Sequence, residues 1–427
     1  MSNPRFDVPF LVALLGLAGC AAHGTATGAQ AKTPAQAAAA APGGPAITSE
    51  AQLQAALARE DANLTPTKVA DADWKLEVLA SAPVSVVTQN GLPAIVIPIG
   101  AEQPARCMLL GPDADPMGGV TAGLASIQKE THGALQKVVP SPIVVAQEAP
   151  AMFVSAIYGA GSGVSLFKFA IHAHPRHAVL CLHEGLGFVQ TFQAACTRLF
   201  ETLERGQPAP APQLVEVSRI TVDGLDWGFT RVTVDAHADA AWVQDSETTL
   251  LVPRSATDFG SETESSEELI DGHGRLVRGA WAKADGKTLV HKVQLAARDK
   301  RGTYDYQGEV GGKPVKGEVR SRDPRGGVAS SLASALRLRS RATKPQAFDI
   351  KQEEYIPEID PQRLTEARYV RAKGAPEGQL RVITGGRELG TTVDADGRTR
   401  DVTFKAGAST VRIERIFARG KLSERGP

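Results

Sequence analysis

From residue 213 to about 420 the chain alternates apolar with polar residues and turns back on itself at glycines. Leu289, His291, Val293 and Leu295 alternate with Val290, Lys292 and Gln294. A repeat of two is the side-chain period of a strand with unlike faces. Gly311-Gly312 makes a tight hairpin. Pairing across it sets Tyr304 and Tyr306 on the face of Val315, Gly317 and Val319, with Tyr306 covering Gly317. Val393-Asp394-Ala395-Asp396-Gly397-Arg398 echoes Ile270-Asp271-Gly272-His273-Gly274-Arg275, and both read as hairpin corners before a strand. Only residues 330–338 read as helix. Residues 213–420 are therefore expected to form a nearly all-β, curved antiparallel sheet.

GQPAPAP at 206–212 marks the internal boundary, because alternating prolines make a stiff, extended spacer. Before it, residues 48–205 read as an α+β sandwich, an antiparallel sheet with helices packed on it. A capping box of Ser49 and Gln52 opens a helix carrying Leu53, Ala56 and Leu57. Strands are expected at 75–79, 84–88, 94–99 and 106–110, with Asn90-Gly91 as a hairpin turn. Val120, Leu124 and Ile127 recur at helical spacing. Strands at 143–146, 151–158, 164–173 and 178–183 follow. A final helix at 187–204 puts Phe188, Phe192, Ala195, Leu199 and Leu203 on one face.

The stretch IHAHPRHAVLCLHEG, residues 171–185, concentrates His172, His174, His177 and His183 around Cys181. His174-Pro175-Arg176-His177 suits a tight turn with Pro second. With His174 opposite His177, one hairpin face collects Phe167, Phe169, Ile171, Leu180 and Leu182. The other collects Lys168, His172, His174, His177, Val179, Cys181 and His183. Opposed imidazoles lie close enough to share a metal, with His172 as a third ligand. A solvated strand face produces the same pattern, since a sheet with one buried face carries polar residues on the other. HAHPRH also resembles the HxHxDH motif of metallo-β-lactamase-fold hydrolases. It departs from it at Arg176, which stands where that family has Asp, and no downstream His and Asp set follows.

Three cysteines follow Cys20: Cys107, Cys181 and Cys196. The strand leg from Cys181 and the helix leg back to Cys196 are each roughly 13 Å, which sets the two level. With the helix on the Phe/Leu face, however, their sulfurs fall on opposite sides of the sheet. The expected disulfide is then Cys107–Cys181, with Cys196 a small buried apolar residue.

The N-terminus carries the address. FLVALLGLAG, residues 10–19, is too short to span a bilayer, which takes about 20 residues, and suits a signal-peptide core. Leu17-Ala18-Gly19-Cys20 resembles the lipobox of bacterial lipoproteins. That resemblance implies removal of residues 1–19 and lipidation of Cys20. A secretory signal followed by a buried cysteine is the other reading. In the enterobacterial pattern Asp after the cysteine retains the protein at the inner membrane, so Ala21 points to the outer membrane. Residues 20–47 are mostly Ala, Gly, Thr, Gln and Pro, a tether that cannot bury enough apolar surface to fold. The C-terminal meander with its corner glycines resembles the curved half-barrels of cell-envelope proteins, Lol-type lipoprotein carriers among them. This implies a concave face able to cradle acyl chains or peptide, and no motif carries a binding residue across.

Other chemistry is not legible. Charges balance at 47 basic against 47 acidic, so no nucleic-acid partner is implied. Gly159–Gly163 joins two strands, where a dinucleotide loop must lead into a helix. Gly308–Lys313 has the wrong spacing for a P-loop. Asp394 and Asp396 lack the later ligands of a Ca²⁺ loop. No GxSxG elbow is present. The expectation is a membrane-anchored envelope lipoprotein of non-enzymatic binding or scaffold type, without cofactor or catalytic residues. Its partners would be the membrane and an unnamed protein, peptide or lipid. The alternative is a metal-binding or metal-dependent protein using the His172–His183 strand face.

Overall fold

The computed structural model describes residues 50–421, apart from 101–102, 113, 132–133, 161–162, 207–209, 239, 256, 300–301, 324–326, 340, 342–343 and 345. Cys20, the tether, Ser49 of the capping box and part of the proline spacer lie outside the described residues. The chain is mostly β, built from large antiparallel sheets, and no closed barrel forms among the described residues. It divides into two compact units, residues 50–210 with 253–260 and residues 211–252 with 261–421.

The first unit runs α1 (Glu50–Leu57), β1 (Thr65–Ala70), β2 (Trp74–Ala80), β3 (Ser85–Gln89), β4 (Leu92–Ile97), β5 (Ala105–Leu110), α2 (Pro116–Thr131), β6 (Ala134–Pro140), β7 (Val144–Ala146), β8 (Ala149–Ala160), β9 (Gly163–His174), β10 (His177–Glu184), α3 (Val189–Thr202) and β11 (Glu204–Arg205). Eight strands form one sheet in the order β3-β4-β5-β10-β9-β8-β6, with β7 pairing β8; β1, β2 and β11 form a small second sheet. Each face of the large sheet carries a helix. On one, α2 packs on the apolar residues of β9 and β10. Its Gly119 and Gly123 allow the approach: a methyl group there would fall within 3 Å of Leu180 and Phe169. Tyr158 donates to Leu124 O at 2.8 Å. On the other face lies α3, whose Phe192, Ala195, Cys196, Leu199 and Phe200 share a core with Trp74, Leu76 and Val78 of β2.

The second unit runs β12 (Leu214–Val222), β13 (Leu225–His237), β14 (Ala240–Pro253), β15 (Phe259–Ile270), β16 (Leu276–Asp285), β17 (Thr288–Ala297), β18 (Thr303–Val310), β19 (Lys313–Arg320), α4 (Ser331–Leu338), β20 (Phe348–Glu354), β21 (Thr365–Arg371), β22 (Gln379–Thr384), β23 (Arg387–Val393), β24 (Thr399–Ala406) and β25 (Ser409–Gly420). They make one fourteen-stranded sheet in the order β19-β18-β17-β16-β15-β14-β13-β12-β25-β24-β23-β22-β21-β20. The chain meanders to β19, crosses through α4, and meanders back until β25 pairs with β12. Consecutive strands β19 and β20 are therefore the two free ends of an open, barrel-like sheet. Tyr306 sits opposite Gly317 and lies over it.

Helix α4 lies across the inner face of this sheet. Leu332 packs with Leu214, Val234, Trp242 and Ile270. Leu338 belongs to the cluster of Ile220, Leu250, Tyr369 and Val382. Ser330 caps it, accepting from Ala333 N at 3.1 Å and donating to Gly274 O at 2.8 Å. The two look-alike corners prove to be the same turn. Asp271 N bonds Arg275 O and the Asp271 carboxylate accepts from the amides of His273 and Arg275. Asp394, Asp396 and Arg398 repeat these bonds. Gly274 and Gly397, at φ +80° and +77°, each bring the turn against α4, at Ala333 and Ala335.

Candidate functional site

The histidine hairpin forms with the expected register, His174 opposite His177 and His172 opposite Val179. The reading of a solvated histidine face is overturned. His172, His177 and His183 are fully buried, while His174 is half-buried. The final helix packs on this face and not on the Phe/Leu face, which α2 already covers. His172 stacks on Phe200 with ring centres 4.9 Å apart, and His183 on Phe192 at 5.9 Å. His174 and His177 stack at 4.4 Å. His172 Nε2 lies 3.0 Å from Ala146 O, and His183 Nε2 lies 2.9 Å from Gln103 O. Burial first, then the neighbouring His172, Arg176 and Arg205, lowers His177 to about 3. Burial and Lys168 lower His183 to about 3. His177 and His183 are neutral, flat packing groups, and His172 and His183 each keep one hydrogen bond inside the core. Among the described residues, no three of the hairpin histidines bring ring nitrogens within metal-sharing distance of one another. Lys168, on the same face, donates to Gly187 O at 2.8 Å and to Gly185 O, holding the turn into α3.

Cys107 and Cys181 are opposed in β5 and β10 and joined by a disulfide. The route to that pair misplaced Cys196. Because α3 lies on the cysteine face, Cys196 sits beside the disulfide, its sulfur within 4.8 Å of both others. Burial raises its thiol well above the ordinary value, so it stays protonated.

A concentration of buried ionisable residues lies in the second unit, on strands whose sequence showed no site. In β15, Glu262, Glu264, Ser266 and Glu268 alternate onto the inner face and all are buried. Glu268 accepts from Ser331 N at 3.1 Å and Ser331 Oγ at 2.8 Å, and burial pushes it up to about 7. Glu354 accepts from Tyr369 Oη and Gln352 Nε2, and Gln352 also donates to Ser334 Oγ. Towards the other end of β15 the register places Glu264 opposite Lys283, and Lys283 opposite His291. Lys283 Nζ pairs with Glu262 at 2.8 Å. Glu358, in the turn after β20, brings Oε1 to 3.2 Å from His291 Nε2. Burial and the adjacent Glu358 charge push Glu264 well up. Burial alone would raise Glu358 too, but its contacts with His291 and Glu264 outweigh it and bring it below the usual range.

Sequence reasoning missed this cluster. Its signals were acids at every second position of ETESSEE, and His291 in phase with Leu289, Val293 and Leu295. A separate cavity of about 70 Å³ lies beside α4, lined by residues including Leu214, Gln244, Ser331, Ser334 and Tyr369. It has room for a few waters. A more open hollow is bordered by Trp242, His273, Arg275, Arg337 and Arg339.

No family model and no curated protein matches the chain. A β-barrel-like protein of a domain of unknown function from Brucella abortus superimposes with a TM-score of 0.37 at 12% identity, covering 49% of this chain and 98% of that one. A protein of another family of unknown function, from Pseudomonas aeruginosa, gives 0.23 at 14% identity, covering 45% and 90%.

Proposed function

We propose that the chain is a lipid-anchored protein of the bacterial cell envelope, of binding or scaffold type, held through Cys20 in the outer membrane. The observation that carries this reading is Leu17-Ala18-Gly19-Cys20 at the end of the apolar run. The buried Cys107–Cys181 disulfide supports it, because such bonds persist in oxidising compartments. In this reading residues 20–47 are the tether, the first unit is an α+β sandwich, and the half-barrel-like second unit meets the partner. Helix α4 occupies the inner face and leaves a cavity of about 70 Å³, too small for an acyl chain. A lipid or peptide bound in that cavity has to displace α4. Expression of the full chain in a Gram-negative host with radiolabelled palmitate tests the anchor. Label on the wild type, absent from Cys20→Ser, and membrane fractionation lost with it, are expected. An unlabelled wild-type chain released in soluble form would overturn the reading.

A further inference from the structure

The inside of the large sheet holds a charge arrangement that the anchor does not explain. We propose that Glu264, His291 and Glu358 form a buried site for one divalent first-row transition-metal cation, with Glu262 and Lys283 as its outer shell.

The three side chains come from β15, β17 and the turn after β20, and their ligand atoms lie within 4.8 Å of one another. His291 Nε2 and Glu358 Oε1 pair at 3.2 Å, out of contact with solvent and without the alignment of a good hydrogen bond. Two donors each about 2.0–2.1 Å from a tetrahedral ion are separated by about 3.3 Å. The observed spacing fits two ligands on one ion. A poorly aligned pair does not repay the desolvation of its two buried atoms, and a cation between them does. Formal charge agrees. With all three carboxylates deprotonated by the bound cation, Glu262, Glu264 and Glu358 against Lys283 leave two negative charges, which a divalent ion balances. Lys283 is already turned to Glu262 and does not compete for Glu264 or Glu358. One imidazole with two carboxylates is an N/O donor set. It suits Zn²⁺, Mn²⁺ or Fe²⁺, whereas Ca²⁺ and Mg²⁺ take oxygen ligands. Because Glu358 belongs to a turn, the bound ion would also tie residues 355–364 to β15 and β17. Tyr355 already packs there on Trp281, with ring centres 5.2 Å apart.

The test is a Zn²⁺ titration of the full chain in detergent, stripped with EDTA, against a chromophoric competitor. One Zn²⁺ per chain is expected. His291→Gln and Glu358→Gln should each weaken binding on the order of 100-fold or more, while His174→Gln leaves it unchanged. A folded wild type that binds no stoichiometric Zn²⁺ overturns the site, and so does binding retained by both variants. If either variant unfolds, zinc-edge X-ray absorption on the wild type decides. One nitrogen with oxygens supports the assignment. Sulfur ligands, or two or more nitrogens, would place the metal elsewhere in the chain and end it. None of these readouts depends on lipidation of Cys20.

Discussion

His172, His177 and His183 score as polar in any alternation scheme, but the protein uses them as aromatic rings. Their burial has a direct consequence in acid. His177 and His183 titrate near 6.5 when unfolded and near 3 when folded, so between these values the unfolded chain takes up protons that the folded chain refuses. Their contribution is intact above about pH 6.5 and is lost as pH falls towards 3, by up to about 1.4 kcal/mol per pH unit for each ring. Glu268 works in the opposite sense. Its proton is held to about pH 7 when folded, so its contribution is full below its unfolded value and is lost as pH rises through 7. His177, whose ring nitrogens have no hydrogen-bond partner, isolates the acid effect. His177→Phe should gain stability over wild type as pH drops from 7 to 4.5. Urea midpoints measured across that range check it, and a pH-independent difference would refute it.

At the scale of elements, the second unit depends on how α4 is seated. The helix has only eight residues, too short to persist by itself in water. Two copies of one turn hold it, from the β15–β16 and β23–β24 corners. At Gly397 a methyl group would meet Ala335 O at 2.3 Å and Arg339 N at 2.6 Å, both backbone atoms. Gly386 has the same φ of +77°, with nothing within 4 Å. Gly386→Ala should therefore cost only the left-handed backbone penalty, about 1–2 kcal/mol. Gly397→Ala should cost about 2 kcal/mol more, because the helix must shift. Chemical denaturation of the two variants side by side separates backbone strain from contact; equal losses would mean that the corners do not seat the helix.

For the whole molecule, the open sheet poses an edge problem. Its ends, β19 and β20, present backbone that is unpaired except where Ala329 bonds Glu353 of β20, and that could template another chain. Lys313, Lys316, Glu318 and Arg320 line one end, and Asp349 and Lys351 the other, all exposed. Pro314 also removes a donor from β19. With zero net charge, general repulsion does little to keep copies apart, so these local charges matter more. Pro314→Val combined with Lys316→Val should increase self-association, read by light scattering as a mass that rises with concentration more steeply than wild type. An unchanged profile would show that the edges are guarded by something else.

The sequence by itself determined what depends on near neighbours. The hairpin registers at His174–His177 and Tyr306–Gly317, the helix near 330–338 and the two Asp–Gly–Arg corners all follow from period, turn residues and short-range hydrogen bonds. Strand β6 was illegible because a bulge between Leu135 and Lys137 breaks its alternation. Strand β1, with Pro66 and no buried residue, carries no core signal at all. Which face of a sheet a helix covers was a tertiary decision. Phe/Leu and His/Cys faces can both be buried once imidazoles are neutral, and α2 took the first, leaving α3 and Cys196 to the second. The Glu264–His291–Glu358 cluster belongs to the same class. Its members lie 27 and 67 residues apart along the chain and meet only because the sheet curls and the turn after β20 reaches its inner face. Periodicity says that a residue points inward; only the tertiary packing of the sheet says what it finds there.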